Sequence, residues 1–251
     1  MPPAPHPTTY TERASVVPGA VVWASTSTGA DTGPVLPDGC MDLLWRSDTE
    51  RLLVAGPDTA PQSTEGEPGV RWTGLRLSPG HAPTVLGVRA EELRDRRVDL
   101  ADLWDATRVR RLTARVAASA APGTVLEAVA GTGPAPDAAL DHVVRALAAG
   151  RPVSAVAADL DVSERTLHRR SLAAFGYSPQ LLARVLRFRR ALAALRAGRP
   201  PVEVAAGLGF TDQAHLTREV RRFGGTTPGA VQLGSGAKRS TAPPSGSSTV
   251  A

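Results

Sequence analysis

Between positions 20 and 86 the apolar residues come in short runs: Val21-Val22-Trp23, Met41-Asp42-Leu43-Leu44-Trp45, Arg51-Leu52-Leu53-Val54-Ala55 and the stretch 70–77. The last alternates apolar with polar positions, as a half-buried strand does. Pro37-Asp38-Gly39, Gly56-Pro57-Asp58, Gly66-Glu67-Pro68-Gly69 and Pro79-Gly80 separate the runs and are strong turn formers. Short strands punctuated in this way predict a small β-barrel or sandwich. Beyond Val88 the period changes. Residues 90–97 and 100–104 read as short helices and 107–120 as a longer amphipathic one. A Thr-Gly-Pro-Ala-Pro stretch at 132–136 interrupts the pattern, and 137–231 reads as helix with short turns. The predicted fold class is therefore α+β, with the β-rich part first and an all-α part after it. The expected divisions are a flexible start (1–18), a β-rich domain (19–105), a helical connector and linker (106–136), a helical domain (137–233) and a disordered tail rich in Ser, Gly, Pro and Thr (234–251).

The helical half repeats itself. Ala157-Ala158-Asp159-Leu160-Asp161-Val162-Ser163 aligns with Ala205-Ala206-Gly207-Leu208-Gly209-Phe210-Thr211 at a spacing of 48 residues. Leu167-His168-Arg169 then aligns with Leu216-Thr217-Arg218, and Gly176-Tyr177-Ser178-Pro179 with Gly225-Thr226-Thr227-Pro228, at 49. The second copy thus holds one extra residue. Each copy reads as a short helix with small paired alanines, a tight turn, a plug (Val162 or Phe210), and a second helix capped by Ser163 or Thr211. Gly209 can take positive φ at the bend. The second helices bury Leu167 and Leu216 and expose polar residues on the opposite face. This is a helix-turn-helix, duplicated.

Charge follows the same division. Before Asp137 there are 13 basic against 16 acidic side chains, and from 137 to 233 there are 14 arginines, no lysine and 8 acids. A basic half behind a slightly acidic one suggests that only the former meets a polyanion. The single cysteine, Cys40, excludes an intrachain disulfide. The first ten residues lack the basic head and apolar core of a secretory signal, and no apolar run reaches about 18 residues, the length of a membrane span. A cytoplasmic protein without membrane segments is expected. No G-x-S-x-G, phosphate-binding loop or paired-carboxylate motif appears, so the expectation is not an enzyme.

On these residues 137–231 resembles the DNA-binding domain of the AraC/XylS regulators. The signature runs through Val204-Ala205-Ala206-Gly207-Leu208-Gly209-Phe210-Thr211-Asp212-Gln213, Leu216-Thr217-Arg218 and Gly225-Thr226-Thr227-Pro228. The run 178–191 resembles the long helix that joins the two units. The sequence departs from the pattern at Ser171 and Val220, where an aromatic is usual, and at Val231-Gln232. Smaller plugs there are expected to loosen the second helices, with Leu172, Phe175 and Phe223 available to compensate.

The resemblance implies a sequence-specific transcription regulator of bacterial type, with each second helix in one major-groove segment. It assigns base reading to Arg165, His168 and Arg169 in the first unit and to Gln213, Ala214, Thr217 and Arg218 in the second. Arginine can bond guanine O6 and N7, glutamine adenine N6 and N7, and the Ala214 methyl can touch thymine. His168 equally reads as a solvent-facing residue. Backbone contacts are assigned to Ser163, Arg170, Arg187, Arg190, Thr211, Arg221 and Arg222, which position without specifying. Implied partners are double-stranded promoter DNA and RNA polymerase, with the protein a monomer or a homodimer.

The stretches 37–45, 54–58 and 75–80, with Leu86-Gly87-Val88, resemble an uncharacterised cupin-like N-terminal domain found with this family, over residues 10–105. It implies effector sensing or self-association and names no ligand. Cys40, Asp42 and His81 are metal-capable types, but none pairs at metal-binding spacing, so neither metal nor cofactor is expected. Cys40 reads as a small buried hydrophobe or as a reactive thiol, the latter requiring exposure beside positive charge. Trp23, Trp45 and Trp72 read as core or as the lining of an effector pocket.

Overall fold

The computed structural model describes residues 9–27, 34–63, 68–133 and 135–234. The start of the segment read as flexible (1–8), Pro134 of the linker and nearly all of the tail (235–251) lie outside the described residues.

Six strands form one antiparallel sheet in the order β1-β2-β5-β3-β4-β6. The four apolar runs are β2 (Val21–Thr26), β3 (Met41–Arg46), β4 (Arg51–Ala55) and β5 (Arg71–Leu77). The other two were not foreseen. β1 (Thr9–Ala14) falls in the stretch expected to be flexible, and β6 (Arg97–Asp99) at the end of an expected helix. Of the helix expected over 90–97 only a 3₁₀ turn, Ala90–Glu92, survives, because Asp95 takes a left-handed φ of 58°. β1 is held from a distance: Tyr10 stacks on Trp23, and Arg13 reaches a buried carboxylate, that of Glu127. The fold is α+β with the β-rich part first, as expected. The sheet is a single open layer with β1 and β6 at its edges and, of the expected barrel or sandwich, does not close into a barrel.

One face of that sheet is the core. Across successive strands Val22, Leu75, Leu43, Val54 and Val98 stand opposite one another, and all five are buried. Helices α1 (Ala82–Leu86), α2 (Ala106–Ala117) and α3 (Pro122–Gly131) complete this core with Leu86, Leu112, Val116, Leu126 and Ala130. α3 lies so close to β2 that a Cβ on Gly123 would sit 2.4 Å from Val22. The register also separates the tryptophans. Trp45 faces the core, whereas Trp23 and Trp72 share the opposite face, where Gly74 leaves room for the Trp23 indole. The three therefore do not line one pocket.

The helical half comprises α4 (Ala138–Ala148), α5 (Val153–Asp159), α6 (Glu164–Phe175), α7 (Pro179–Arg196), α8 (Pro201–Gly207), α9 (Gln213–Gly224) and α10 (Pro228–Gln232). It has two apolar centres. Val143, Leu147, Val156, Leu167 and Phe175 form the first; Phe188, Leu192, Val204, Leu216 and Phe223 form the second. α7 serves both, with Leu182 in the first and Val185 to Leu195 in the second. The small plugs leave no opening to solvent. Ser171 and Val220 are completely buried, and the Ser171 hydroxyl donates to the Tyr177 carbonyl at 2.8 Å.

Candidate nucleic-acid interface

The two helix pairs, α5–α6 and α8–α9, are built alike. In each, the first helix buries one of its paired alanines, Ala157 or Ala205, and leaves the next exposed. The plug residue then folds its amide back onto that buried alanine. Val162 N–H donates to Ala157 O at 3.1 Å, and Phe210 N–H to Ala205 O at 3.0 Å. The bend needs a left-handed residue, which is Asp161 in the first turn (φ 50°) and Gly209 in the second (φ 70°).

The caps differ by one residue. Ser163 caps α6 as expected, accepting from Thr166 N–H at 3.2 Å. On α9 the cap is Asp212 and not Thr211: its carboxylate accepts from His215 N–H at 2.6 Å. The extra residue in the second copy lengthens the turn, so the capping position passes to the next side chain. Thr211 instead makes long hydrogen bonds to the His215 ring. Each cap satisfies an otherwise unpaired helix N–H.

From these fixed frames the candidate base-reading side chains point outward. Arg165, His168 and Arg169 on α6 are exposed, as are Gln213, Ala214 and Arg218 on α9. Thr217 is half-buried and donates to Gln213 O within its own helix. The candidate backbone-contacting residues divide into two groups. Ser163, Arg170, Thr211, Arg221 and Arg222 are exposed. Arg187, half-buried, and Arg190, exposed, already hold protein groups: Arg187 donates to Gly209 O at 3.1 Å and lies over the Phe210 ring, and Arg190 donates to Ala148 O at 2.5 Å. Both arginines brace α7 against its neighbours.

A further ion pair, which the sequence pattern did not reveal, sets the pose of α9. Arg184 on α7 donates twice to Glu219, at 3.0 and 2.7 Å, and Glu219 is buried. Burial, the largest single influence, pushes this carboxyl up, but the Arg184 hydrogen bonds together with the charge of Arg184 and its basic neighbours leave it below the ordinary range. The only sequence signal for the pair was an acid on an otherwise basic helix.

The sheet half grips the α6–α7 turn. Tyr177 donates to Asp58 O, Arg94 to Gly176 O, and a Cβ on Gly176 would sit 2.6 Å from Pro57. Asp38 meets Arg189 of α7 at 3.1 Å, and Leu36 joins the second apolar centre. These contacts leave the polar faces of α6 and α9 uncovered. Cys40 lies beside this joint, half-buried, with its amide donating to Asp38 at 2.9 Å. Burial, reinforced by Asp38, pushes its thiol far above the ordinary range despite Arg189 and Arg76 nearby. The inert reading fits it better than the reactive one. Asp42 accepts from the Trp23 indole at 2.6 Å, and His81 is buried in its turn. Among the described residues no three His, Cys, Asp or Glu side chains gather as a metal site, and no helix is long and apolar enough to cross a membrane.

Residues 156–233 match a family described as a helix-turn-helix domain, and residues 20–99 match a domain of unknown function (DUF6597). No curated protein sequence matches the chain. Among solved structures, an apo variant of ToxT from Vibrio cholerae is similar at 10% identity, covering 88% of this chain and 99% of that one, with a TM-score of 0.46. Wild-type ToxT bound to an unsaturated fatty acid is similar at 8% identity, over 85% and 94%, with a TM-score of 0.44. The C-terminal domain of AraT, a response regulator from Geobacillus stearothermophilus, is similar at 19% identity, over 42% and 93%, with a TM-score of 0.37.

Proposed function

We propose that this chain, an AraC-type helix-turn-helix regulator of transcription joined to a domain of unknown function, reads duplex DNA with α6 and α9 in two successive major-groove segments. The observation that carries this reading is the common construction of the two units. Each second helix is capped, locked to its partner by an equivalent backbone bond, and left with exposed side chains able to bond base edges. α7 has 18 residues, about 27 Å of helix, which is comparable with the roughly 34 Å repeat of the duplex. The excess of arginine in this half supplies attraction to phosphates.

The reading assigns base contacts to Arg165, His168, Arg169, Gln213, Ala214, Thr217 and Arg218. Ser163, Arg170, Thr211, Arg221 and Arg222 hold phosphates, with Arg187 and Arg190 chiefly bracing α7. The sheet half acts as the regulatory part, sensing a small-molecule effector or pairing two chains. Its grip on Gly176, Tyr177 and Arg189 is the route by which either event would reach the reading helices. The protein then works in the cytoplasm on promoter DNA, with RNA polymerase as a further partner.

A gel shift on the DNA upstream of the protein's own gene, titrated with non-specific competitor, tests the reading. Retained binding in excess competitor, with a footprint covering two adjacent major-groove segments, is the expected result. Binding abolished by competitor at every sequence tried would overturn it.

A further inference from the structure

We propose that the cavity between α2 and α3 binds a small amphipathic anion, namely a carboxylate, sulfonate or phosphate carried on an apolar or aromatic body. The proposal rests on the effector-sensing reading above and gives it a place and a chemistry. The cavity measures about 450 Å³, within the roughly 300–1,000 Å³ of small-molecule sites.

Its two kinds of wall are complementary to such a molecule. Trp104, Leu112 and Val129 supply an apolar surface, and Arg108, Arg111 and Arg115 line the same space. The arginines fall three and four residues apart along α2 and so share one side of the helix. Val109 and Val116 turn into the core beneath them. Arg108 stacks on the Trp104 ring, 3.5 Å from its centroid. Among the described residues no carboxylate pairs with Arg111 or Arg115. Asp105 is the one acid at the cavity, and its carboxylate is occupied as the cap of α2, accepting from Thr107 and Arg108 N–H. Three arginines against this one carboxylate leave the site a net positive charge, which persists because arginine keeps its proton.

The frame is already set before any ligand arrives. The Trp104 indole donates to Leu86 O at 2.8 Å, which fixes the ring, and both helices are anchored in the core shared with the sheet. A free inorganic anion would leave the Trp104 and Val129 surface wet, and an uncharged hydrophobe would leave the guanidinium forks unused. An amphipathic anion satisfies both. Thr132, which also lines the cavity, lies where the chain leaves α3 toward α4. Occupancy thus bears directly on the connection into the reading half.

The test uses the full chain and two dyes: 8-anilinonaphthalene-1-sulfonate, and N-phenyl-1-naphthylamine, which has the same rings without the anion. Two variants accompany the wild type. Arg111→Gln with Arg115→Gln removes the charge, and Ala128→Trp, at an exposed lining position, fills the space. Thermal unfolding by circular dichroism establishes that both fold. The wild type is expected to bind the sulfonate at one saturable site, and the double variant to bind it roughly tenfold more weakly with the neutral dye unaffected. Ala128→Trp is expected to abolish both. Unchanged sulfonate affinity in the double variant, or binding that survives Ala128→Trp in a folded protein, overturns the proposal. A gel shift on the same samples separates the two readings: lost DNA binding by the wild type would sink the regulator and leave the dye result standing, whereas specific DNA binding without a dye site would sink the cavity alone.

Discussion

The phenol of Tyr177, on the turn between α6 and α7, donates to the backbone carbonyl of Asp58, in the loop after β4, at 2.5 Å. Tyr177 is completely buried, and burial holds its phenol well above the ordinary tyrosine range, so it remains a donor. Asp58 is in turn clasped by Arg97 of the edge strand β6, at 2.8 and 2.6 Å. An edge of the sheet is thereby connected to the turn that follows the first reading helix.

Tyr177→Phe leaves the Asp58 carbonyl buried without its partner. A loss of about 1–3 kcal/mol is expected, read as a lower denaturation midpoint in urea with the slope unchanged. A midpoint equal to that of the wild type would mean that the bond contributes nothing to holding the halves together.

Glu127 on α3 accepts from Arg13 at 2.8 and 2.6 Å and from Val16 N–H at 3.1 Å. The Arg13 hydrogen bonds, working against burial, take its carboxyl from an ordinary 4.5 down to about 2. A lowered folded-state value stabilises the fold above the unfolded value, and that stability is lost as the pH falls from about 4.5 toward 2. Glu127→Gln should cost on the order of 2 kcal/mol near neutrality, less than the full shift implies, because half of Arg13 is open to screening solvent. Stability measured against pH should flatten between those two values in the variant. The same acid-side slope in both proteins would refute the assignment.

Arg184→Ala strands the buried carboxylate of Glu219 between α9 and α7. The expected destabilisation is about 3 kcal/mol, with the footprint contracting to the segment read by α6. Glu219→Gln in the same background should recover part of the lost stability, because it removes the unpaired charge. Failure of that rescue would show that Arg184 acts through packing alone, for instance through its contact with the Phe223 ring.

Arg169→Ala and Arg218→Ala should each relax base preference by about 1–3 kcal/mol at one position. Arg221→Ala should weaken all sequences alike and lower the salt dependence by about one phosphate contact. A selection experiment on randomised duplexes distinguishes the two behaviours. Unchanged preference in both of the first two variants would reject α6 and α9 as readers.

What the sequence determined by itself was local. The duplication, the alanine at each helix crossing, Ser163 as a cap and Gly209 at a bend are legible because helical periodicity, capping and left-handed turns act over separations of a few residues. The four central strands were legible for the same reason. Even the cap on α9 was missed by only one position, and the extra residue that displaced it was visible in the alignment of the two copies.

Tertiary structure decided everything that depends on distant partners. β1 exists because it pairs with β2 and because Arg13 finds Glu127, which is 114 positions away. The joint between the halves depends on a bond spanning 119 positions. An open sheet or a closed barrel, a free or a bracing arginine at 187 and 190, and arginines gathered around Trp104 all depend on which surfaces meet after collapse. Hydrophobic patterning states which side of an element is buried, while the partner it is buried against follows from the packing of the whole chain.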